Sequence, residues 1–260
     1  MRIATWNVNS VKQRLEHLLR FLKEEAPDVV CLQELKCQED AFPRLELDGT
    51  GYNIALCGQK SFNGVAILSK RPLEDIRLRL PGDDDDGQAR FVEALVPGKK
   101  GAARIAAIYL PNGNPAPSEK YSYKLAWMDR LHAHARTRLA EEEPFVIAGD
   151  FNVIPEPKDA ARPELWVNDA LFLPQTREKF RGLLNLGLYD ALRSTTDATG
   201  LYTFWDYQAG AWQKNNGIRI DHLLLSPQAA DRLRSVTIVK RTRAWDKPSD
   251  HVPVMAEFDL

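Results

Sequence analysis

The segment that most constrains the fold is the apolar run from Phe145 to Ala148 with its continuation from Gly149 to Asn152. It is rich in β-branched and aromatic residues and is followed by Pro155, so it predicts a buried β-strand rather than a helix. Side chains alternate along a strand, and we therefore expect Asp150 and Asn152 on the same side, where the strand emerges. Taken alone, the segment also fits a simple turn after a core strand, because Gly, Asp and Asn are common turn residues.

The composition is typical of a soluble protein with a substantial core. The 260 residues are 44% hydrophobic and 27% charged, and the formal net charge is -1. A near-neutral chain has no general affinity for polyanions, so a nucleic-acid site would need local basic clusters or a bound cation. The sequence has no apolar stretch of membrane-spanning length and no secretory signal at its start, from which we expect a cytoplasmic protein without a membrane partner.

The first part of the chain predicts a strand, a helix and a second strand. The first strand is Arg2 to Asn7. Leucines at helical spacing predict a helix from about Val11 to Glu25, after a capping box that begins at Ser10. Asp28 to Glu34 is the second strand, and strands joined by a helix are expected to lie parallel. The last residues of the two strands would then lie at the same edge of one sheet.

The rest of the chain continues this alternation of strands and helices. Two further helices are predicted over about 118–139 and 172–186. Because no internal repeat, linker or low-complexity segment interrupts the pattern, we expect one α/β domain that spans residues 1–260. The further strands are predicted at 51–57, 64–69, 76–80, 90–96, 103–110, 145–152, 202–207, 218–225, 236–240 and 252–258.

Polar side chains recur at the ends of the predicted strands. Each has an ordinary explanation of its own, such as a turn cap or a solvated strand end. No zinc-ligand spacing, nucleophile elbow, phosphate-binding loop or dinucleotide fingerprint competes for the chemistry. Carboxylates, amides and one histidine suit a magnesium-type ion and a phosphate ester. The polar set comprises Asn7, Glu34, Tyr109, Asp150, Asn152, Asp221, Asp250 and His251.

Six short motifs follow one another along the chain. They are Thr-Trp-Asn-Val-Asn-Ser at 5–10, Leu-Gln-Glu-Leu-Lys at 32–36, Asn-Gly-Val-Ala-Ile at 63–67, Gly-Asp-Phe-Asn at 149–152, Gly-Ile-Arg-Ile-Asp-His at 217–222 and Lys-Pro-Ser-Asp-His-Val-Pro-Val at 247–254. Together they resemble the exonuclease III family of abasic-site endonucleases. The resemblance implies a four-layer αββα sandwich, with two β-sheets packed face to face and helices outside. It also implies metal-dependent cleavage of DNA 5′ to an abasic site and removal of nucleotides or blocking groups from 3′ ends.

The resemblance implies a divalent metal ion, Mg²⁺ with Mn²⁺ as the alternative. Glu34 would bind it, with Asn7 beside it and Asp250 near it, directly or through water. Such an ion neutralises the scissile phosphate and stabilises charge on the leaving oxygen.

Catalytic roles are implied for five further residues. Asp150 would orient or deprotonate the attacking water, and Asn152 would hold that water or stabilise the transition state. His251 would contact the phosphate, with Asp221 fixing its tautomer and raising its pKa. Tyr109 would donate a hydrogen bond to a phosphate oxygen. Residue types alone leave the general base open between Asp150 and His251.

The implied partner is double-stranded DNA with abasic sites or 3′ ends, engaged by a monomer. The segment 204–220 matches the region where the family forms a small apolar pocket for a deoxyribose that lacks its base. For Phe204 and Ile220 in that segment, ordinary core packing remains an alternative. Predicted DNA-binding residues are Asn112, Phe204, Trp205, Trp212, Lys214, Ile218, Arg219 and Arg243. A basic rim is predicted from Lys36, Lys60, Lys120, Lys124, Lys214, Arg219, Arg241, Arg243 and Lys247.

Two other functions use the same residues. A related metal-dependent phosphoesterase acting on a lipid or inositol phosphate would need the same polar set, but the motifs at 217–222 and 247–254 resemble the DNA-cleaving branch. A catalytically inactive DNA-binding module would be expected to have lost part of the set, which is complete here. The balance between abasic incision and 3′-exonuclease activity stays open, because no arginine closely follows Asn112 and because position 9 is Asn where some relatives have Asp.

Overall fold

The computed structural model describes residues 1–260 as twelve strands and five α-helices. The strands are β1 (Arg2–Asn7), β2 (Val29–Gln33), β3 (Asn53–Cys57), β4 (Val65–Ser69), β5 (Glu74–Arg77), β6 (Phe91–Pro97), β7 (Ala102–Tyr109), β8 (Phe145–Asp150), β9 (Tyr189–Asp190), β10 (Asp221–Leu225), β11 (Leu233–Ile238) and β12 (Val254–Phe258). The helices are α1 (Leu15–Glu25), α2 (Arg44–Asp48), α3 (Glu119–Leu139), α4 (Pro174–Asn185) and α5 (Pro227–Ala230). None of these helices is both long and apolar enough to cross a membrane.

The strands form two six-stranded sheets. The first sheet has the order β11-β12-β1-β2-β4-β3, and the second has the order β5-β6-β7-β8-β10-β9. β1 and β2 are parallel, as predicted from the helix that joins them, and β7 and β8 form the other parallel pair. Each parallel pair is joined by a long crossover helix, α1 or α3, as parallel strands require.

The two sheets pack face to face around a core of 22 buried residues drawn from both of them, including Ile3, Val29, Val146 and Leu223. α1 covers the outer face of the first sheet, whereas α3 and α4 cover that of the second. Each large apolar side chain buried in these layers contributes roughly 1.5–3 kcal/mol. The four-layer αββα sandwich expected from the resemblance is confirmed.

The structure differs from the predictions where tertiary hydrogen bonds replace local ones. α1 begins at Leu15 rather than at Val11, because the backbone turns through positive φ at Asn9 and Ser10. In that turn, the N–H groups of Ser10 and Val11 donate to the carbonyl groups of Glu34 and Leu35. The chain after β1 is thus tied to the chain after β2.

The predicted strand at 202–207 is wrong, since this segment makes only isolated bridges. Phe204 bridges both Ile218 and His251. The N–H of Trp205 donates to the carbonyl oxygen of Asp250. The segment therefore links the loop before β10 to the loop before β12 instead of extending a sheet.

The ends of several strands meet at one edge of the sandwich. β1, β2, β7 and β8 end there, while the antiparallel strands β10 and β12 begin there. Asp150 and Asp221 are direct partners in the β8–β10 register, and Tyr109 pairs with Asp150 across β7 and β8. Strand order and register thus bring distant parts of the sequence to one place.

Candidate active site

Asp150 lies at the centre of the polar set and is 1% exposed. The Nδ2 group of Asn7 donates to its Oδ2 at 3.0 Å and also to Oε1 of Glu34 at 2.9 Å. On the other side, the backbone N–H of Asn152 donates to Asp150 Oδ1 at 2.8 Å. The amide of Asn7 therefore joins carboxylates that come from different sheets.

His251 faces two carboxylates. Its Nδ1 lies 2.9 Å from Asp221 Oδ2, and its Nε2 lies 3.7 Å from Asp150 Oδ2. Burial lowers the pKa of His251, but the negative charges of Asp221 and Asp150 outweigh that effect and raise the pKa above its usual value. The imidazole is therefore held as a cation, with Nε2 towards Asp150.

Burial raises the pKa of Asp150 from its usual acidic value. The nearby positive charge of His251 lowers the pKa and the negative charge of Asp221 raises it, so burial decides the direction. A carboxylate whose pKa is moved towards neutrality accepts a proton more readily than an exposed aspartate does. Its hydrogen bonds orient this carboxylate as a candidate base.

Glu34 accepts hydrogen bonds from both sides. The Tyr109 hydroxyl donates to its Oε1 at 2.8 Å, and Lys36 Nζ lies 2.8 Å from its Oε2. Burial raises the pKa of Glu34, yet the hydrogen bonds from Asn7 and Lys36 outweigh burial and hold the pKa below its usual value. The Tyr109 pKa is raised by burial and by the charges of Glu34 and Asp150, so its hydroxyl stays protonated as a donor.

Asn9 connects Glu34 to Asp250. Its Oδ1 accepts from Lys36 Nζ at 2.5 Å, and its Nδ2 donates to Asp250 Oδ1 at 3.0 Å. Asn9 and Glu34 both have left-handed backbone conformations, with φ of 45° and 54°. Such strained non-glycine residues cluster at functional sites. Asn9 thus contacts Asp250 directly and Glu34 through Lys36.

The donor set fits a hard divalent cation at Glu34 and Asp250, because both offer carboxylate oxygens. Asn7 is close enough to take part, although its Oδ1 accepts from the backbone N–H of Asn9 at 3.0 Å. Asp150, Asp221 and His251 form a second compact group, with ligand atoms within 4.8 Å of one another. The Glu34 side offers carboxylate and amide oxygens, the ligands that a hard divalent ion prefers.

A cavity of about 240 Å³ opens beside His251 and Asp150. Phe204 and Ile220 line it, as the resemblance implied, and the T-shaped contact of Phe204 with His251 has a ring separation of 5.0 Å. Sequence reasoning missed other lining residues, whose only signal was their position in the polar loops beside the strand ends. These further residues are Asn114, Trp166, Leu171 and Asp206.

The predicted DNA-binding residues divide by exposure. Asn112 and Lys214 are exposed, and Trp212 is half-buried against Trp205, with ring centroids 4.9 Å apart. Phe204 is also half-buried, at the cavity wall. These four residues remain accessible to a ligand.

The buried members of the predicted set offer almost no surface for direct DNA contact. Trp205 is 0% exposed and Ile218 is 2% exposed, because both pack in apolar clusters. Arg219 is 1% exposed and pairs with Asp159 at 2.8 Å and with Asp190, so no phosphate reaches it.

Two basic residues of the predicted rim are also largely withdrawn from solvent. Arg243 is 7% exposed and donates to the carbonyl oxygen of Trp205 at 3.1 Å. Lys124 is 0% exposed and has no surface for DNA. By contrast, Lys60, Lys120, Arg241 and Lys247 are exposed. The positive rim is therefore smaller than the sequence predicted.

Comparison with known proteins gives concordant results. The exodeoxyribonuclease III of Haemophilus influenzae is 32% identical over 266 residues, which cover 99% of this chain and 100% of that protein. Among solved structures, a 3′-5′ exonuclease (NExo) from Neisseria meningitidis superposes with a TM-score of 0.96 at 39% identity, covering 100% of both chains. An AP endonuclease from Archaeoglobus fulgidus has a TM-score of 0.94 at 36% identity, again over 100% of both chains.

The match to a family model extends over nearly the whole chain, from residue 4 to residue 251. That span contains the strand ends of both sheets and reaches His251. Together with the relatives at 32–39% identity, it confirms the resemblance inferred from the six motifs. The chain therefore belongs to the endonuclease/exonuclease/phosphatase family.

Proposed function

We propose that this protein is a DNA-repair nuclease that uses a divalent metal ion to incise duplex DNA 5′ to abasic sites and to remove nucleotides and blocking groups from 3′ ends. Its relatives include an exodeoxyribonuclease III, an AP endonuclease and the 3′-5′ exonuclease NExo of Neisseria meningitidis. A second structure shows NExo from Neisseria, named there a 3′ phosphatase, bound to a product DNA hairpin. All of these activities hydrolyse phosphate esters of DNA.

The observation that carries this proposal is the convergence of base, cation and metal ligand. Asn7 holds Asp150 and Glu34 at 3.0 and 2.9 Å, and His251 Nε2 lies 3.7 Å from Asp150. Hydrolysis of a phosphodiester needs an acceptor for the proton of water and positive charge around the phosphate. Both are present within one small cleft.

We assign the general base to Asp150 rather than to His251. Because Asp221 stabilises the protonated imidazole, His251 is already occupied by a proton and suits contact with a phosphate oxygen. Asp150 is oriented by two N–H donors and has a pKa moved towards neutrality by burial. It accepts the proton of the attacking water in this proposal.

Amide and hydroxyl donors complete the phosphate site in the proposal. Asn112 donates from Nδ2 to Asn152 Oδ1 at 3.1 Å, so the two amides form a pair at the cavity. Tyr109 lines the same cavity with a protonated hydroxyl, which donates to Glu34 and would turn to a phosphate oxygen when substrate binds. Fixed amide donors stabilise charge that develops on phosphate oxygens without rearranging during the reaction.

Glu34 and Asp250, with Asn7 close by, would hold the divalent ion, which we take to be Mg²⁺ with Mn²⁺ as the alternative. A bound ion would neutralise the scissile phosphate and stabilise the leaving oxygen. Lys36 supplies a balancing positive charge beside Glu34. The charge and oxygen-rich character of this side of the site support the assignment.

The cavity supports selection of a sugar that lacks a base. Phe204, Ile220, Leu171 and Trp166 line its wall, and its volume is about 240 Å³. A small cavity with this apolar wall favours a base-free deoxyribose over an intact nucleotide, because the base would add bulk. We further propose that residues 1–260 act as a single catalytic domain and as a monomer, since the two sheets share one core and the site opens to one side.

The test is cleavage of two end-labelled duplexes, with magnesium or with EDTA. One carries a central tetrahydrofuran abasic analogue, and the other is undamaged with a recessed 3′ end. We expect magnesium-dependent incision 5′ to the analogue and shortening from the 3′ end. Shortening alone would restrict the function to 3′ ends. No cleavage of either duplex would overturn the proposal and direct attention to small phosphate esters of lipids or inositol, or to binding without catalysis.

A further inference from the structure

Lys124 is a buried cation behind the cleft that the proposed mechanism does not use. It lies on α3 and is 0% exposed. Its Nζ donates to the carbonyl oxygen of Asn152 at 2.6 Å and to that of Asn112 at 3.0 Å. Neither acceptor is a carboxylate. Burying an ammonium group without an ion-pair partner costs free energy, which these two hydrogen bonds offset in part.

The two acceptors belong to the turns that follow β7 and β8. These turns carry the amide pair, in which Asn112 Nδ2 donates to Asn152 Oδ1 at 3.1 Å. Asn152 also donates from Nδ2 to Leu110 O at 2.9 Å and from its backbone N–H to Asp150. Its backbone has a left-handed φ of 48°. Lys124 fixes the backbone carbonyl oxygen of Asn152, which takes part in none of these bonds.

The aliphatic part of the Lys124 side chain also packs closely against the turn after β7. A Cβ atom added at Gly113, which follows Asn112, would lie 2.7 Å from Lys124 Cδ. Gly113 has a positive φ of 88°, which favours glycine. The glycine thus lets the turn approach the lysine closely enough for the Nζ to reach both carbonyls.

We infer that Lys124 is a positioning residue, whose buried ammonium clamps the turns after β7 and β8 and so aims the Asn112–Asn152 amide pair at the phosphate. This inference rests on the proposed function. Burial lowers the pKa of Lys124 to about 7, although the negative charges of Asp150 and Asp169 act to raise it. A pKa this low agrees with the absence of a direct ion-pair partner. The clamp acts through the asparagines, since Lys124 itself does not reach the cavity.

The test is a double-mutant cycle of Lys124→Met and Asn152→Ala, with single-turnover cleavage of the recessed 3′-end duplex as the readout. Methionine keeps the length of the stem and removes the donors. We expect Lys124→Met to lower the cleavage rate about 10- to 100-fold, with DNA affinity nearly unchanged, because small displacements of positioning groups have effects of this size. In the Asn152→Ala background, where the aimed amide is gone, the same substitution should have little further effect.

The controls separate a positioning role from a structural one. Lys23→Met removes an exposed lysine from α1 and should leave cleavage unchanged. In nitrogen-proton NMR spectra, Lys124→Met should shift the side-chain amide resonances of Asn152 and Asn112, whereas Lys23→Met should not. If the methionine variant does not fold, Lys124→Gln replaces it in the cycle, with a smaller expected loss because an amide can still donate.

An unchanged rate in a folded Lys124→Met enzyme, or an equal loss in both backgrounds, would overturn the clamp. If the wild-type enzyme does not cleave DNA, the proposed function fails instead, and the NMR comparison still decides whether Lys124 orients the two amides. Unshifted amide resonances would then reject the clamp on their own.

Discussion

At the scale of single residues, Asp150 shows how burial and hydrogen bonding define a chemical role. Its Oδ2 accepts from Asn7 of the first sheet, and its Oδ1 accepts from the backbone of Asn152 in the second. Burial favours its protonated form, while the hydrogen bonds favour its charged form. The balance produces an oriented carboxylate that can take and release a proton near neutral pH.

Substituting Asp150→Asn should abolish proton acceptance and change the side chain's volume little. We expect kcat for cleavage of the recessed 3′-end duplex to fall about 10²- to 10⁴-fold, the usual contribution of a general base. DNA binding should persist, as measured by fluorescence anisotropy in EDTA. Normal turnover with weakened binding would contradict the role of Asp150, since it would make the residue a binding group.

Glu34→Gln tests the metal side of the site. The amide keeps the shape of Glu34 but loses the charge that attracts a cation, so the magnesium concentration for half-maximal activity should rise at least about 10-fold. Isothermal titration of Mn²⁺ without DNA gives a second readout, in which the variant should bind more weakly. A magnesium titration that coincides with that of the wild type would remove Glu34 from the metal site.

Sequence reasoning identified the residues whose chemistry is visible in a short motif. Glu34 and Asp150 stand at strand ends, where motif context predicted a metal ligand and a candidate base, with the base left open between Asp150 and His251. Trp166 escaped notice, and Lys124 was predicted for an exposed basic rim rather than for a buried contact, because nothing local marks their positions. Trp166 reaches the cavity from a loop, and Lys124 reaches two strand-end turns from the buried side of α3. Only the tertiary structure shows these contacts.

At the scale of secondary-structure elements, predictions held where the pattern is local. The Ser118 hydroxyl caps α3 by accepting from the N–H of Tyr121 at 3.3 Å, close to the predicted start. β8 begins at Phe145, as predicted, and ends at Asp150, two residues before the end of the predicted run, where Asn152 adopts a left-handed conformation. The segment 202–207 has strand-forming residues but no neighbouring strand of matching length, so its backbone bonds to two loops instead. Propensity cannot reveal which partners a strand will find.

The loop between β8 and α4 is attached to β10 by buried ion pairs. Arg219 Nε lies 2.8 Å from Asp159 Oδ1, and its Nη1 lies 2.7 Å from Asp190 Oδ2. Arg219→Ala would leave two buried carboxylates with too little positive charge. The free energy of unfolding should fall by roughly 3–5 kcal/mol, measured by urea denaturation followed by circular dichroism.

Arg234→Ala is the matched control for that experiment. Arg234 pairs with Asp259 at 3.0 Å, but its side chain is 65% exposed. Pairs of this kind contribute about 0–1 kcal/mol. Equal losses for the two variants would show that burial of the Arg219 network adds nothing to stability.

His222 extends this network and makes it sensitive to acid. Arginine can only donate, so Nδ1 of His222 accepts from Arg219 at 2.9 Å, and its Nε2–H donates to the carbonyl oxygen of Val153 at 3.0 Å. Burial, followed by the charge of Arg219, lowers the pKa of His222 from 6.5 to about 4. The folded state therefore holds this histidine neutral.

Because the unfolded chain takes up this proton first, His222 should make the fold lose stability as pH falls from 6.5 towards 4. His222→Leu has no proton to bind. We expect the wild type's stability advantage over this variant to shrink by up to about 3 kcal/mol between pH 7 and pH 4. Urea denaturation across that range measures the difference. An advantage that stays constant with pH would mean that His222 is not held neutral.

At the scale of the whole molecule, the site depends on how the two sheets are placed. The hydrogen bond from Asn7 to Asp150 crosses from the first sheet to the second at 3.0 Å. The layer between the sheets contains small residues such as Ala107 and Ala148, both fully buried. Close-packed interiors transmit displacements rather than absorbing them. The separation of the sheets therefore sets the distance between Glu34 and Asp150 in the cleft.

Ala148→Leu should wedge the sheets apart, since its side chain lies in that layer two residues before Asp150. We expect a loss of about 1–3 kcal/mol in the free energy of unfolding, as is usual for overpacking. The kcat should fall further than the fraction of unfolded enzyme accounts for. Ala4→Leu is the matched control, because Ala4 is equally buried on the outer face of β1, towards α1. It should destabilise the fold comparably but reduce the kcat of the folded enzyme much less. Equal losses of kcat in the two variants would mean that the sheets can separate without disturbing the bond between Asn7 and Asp150.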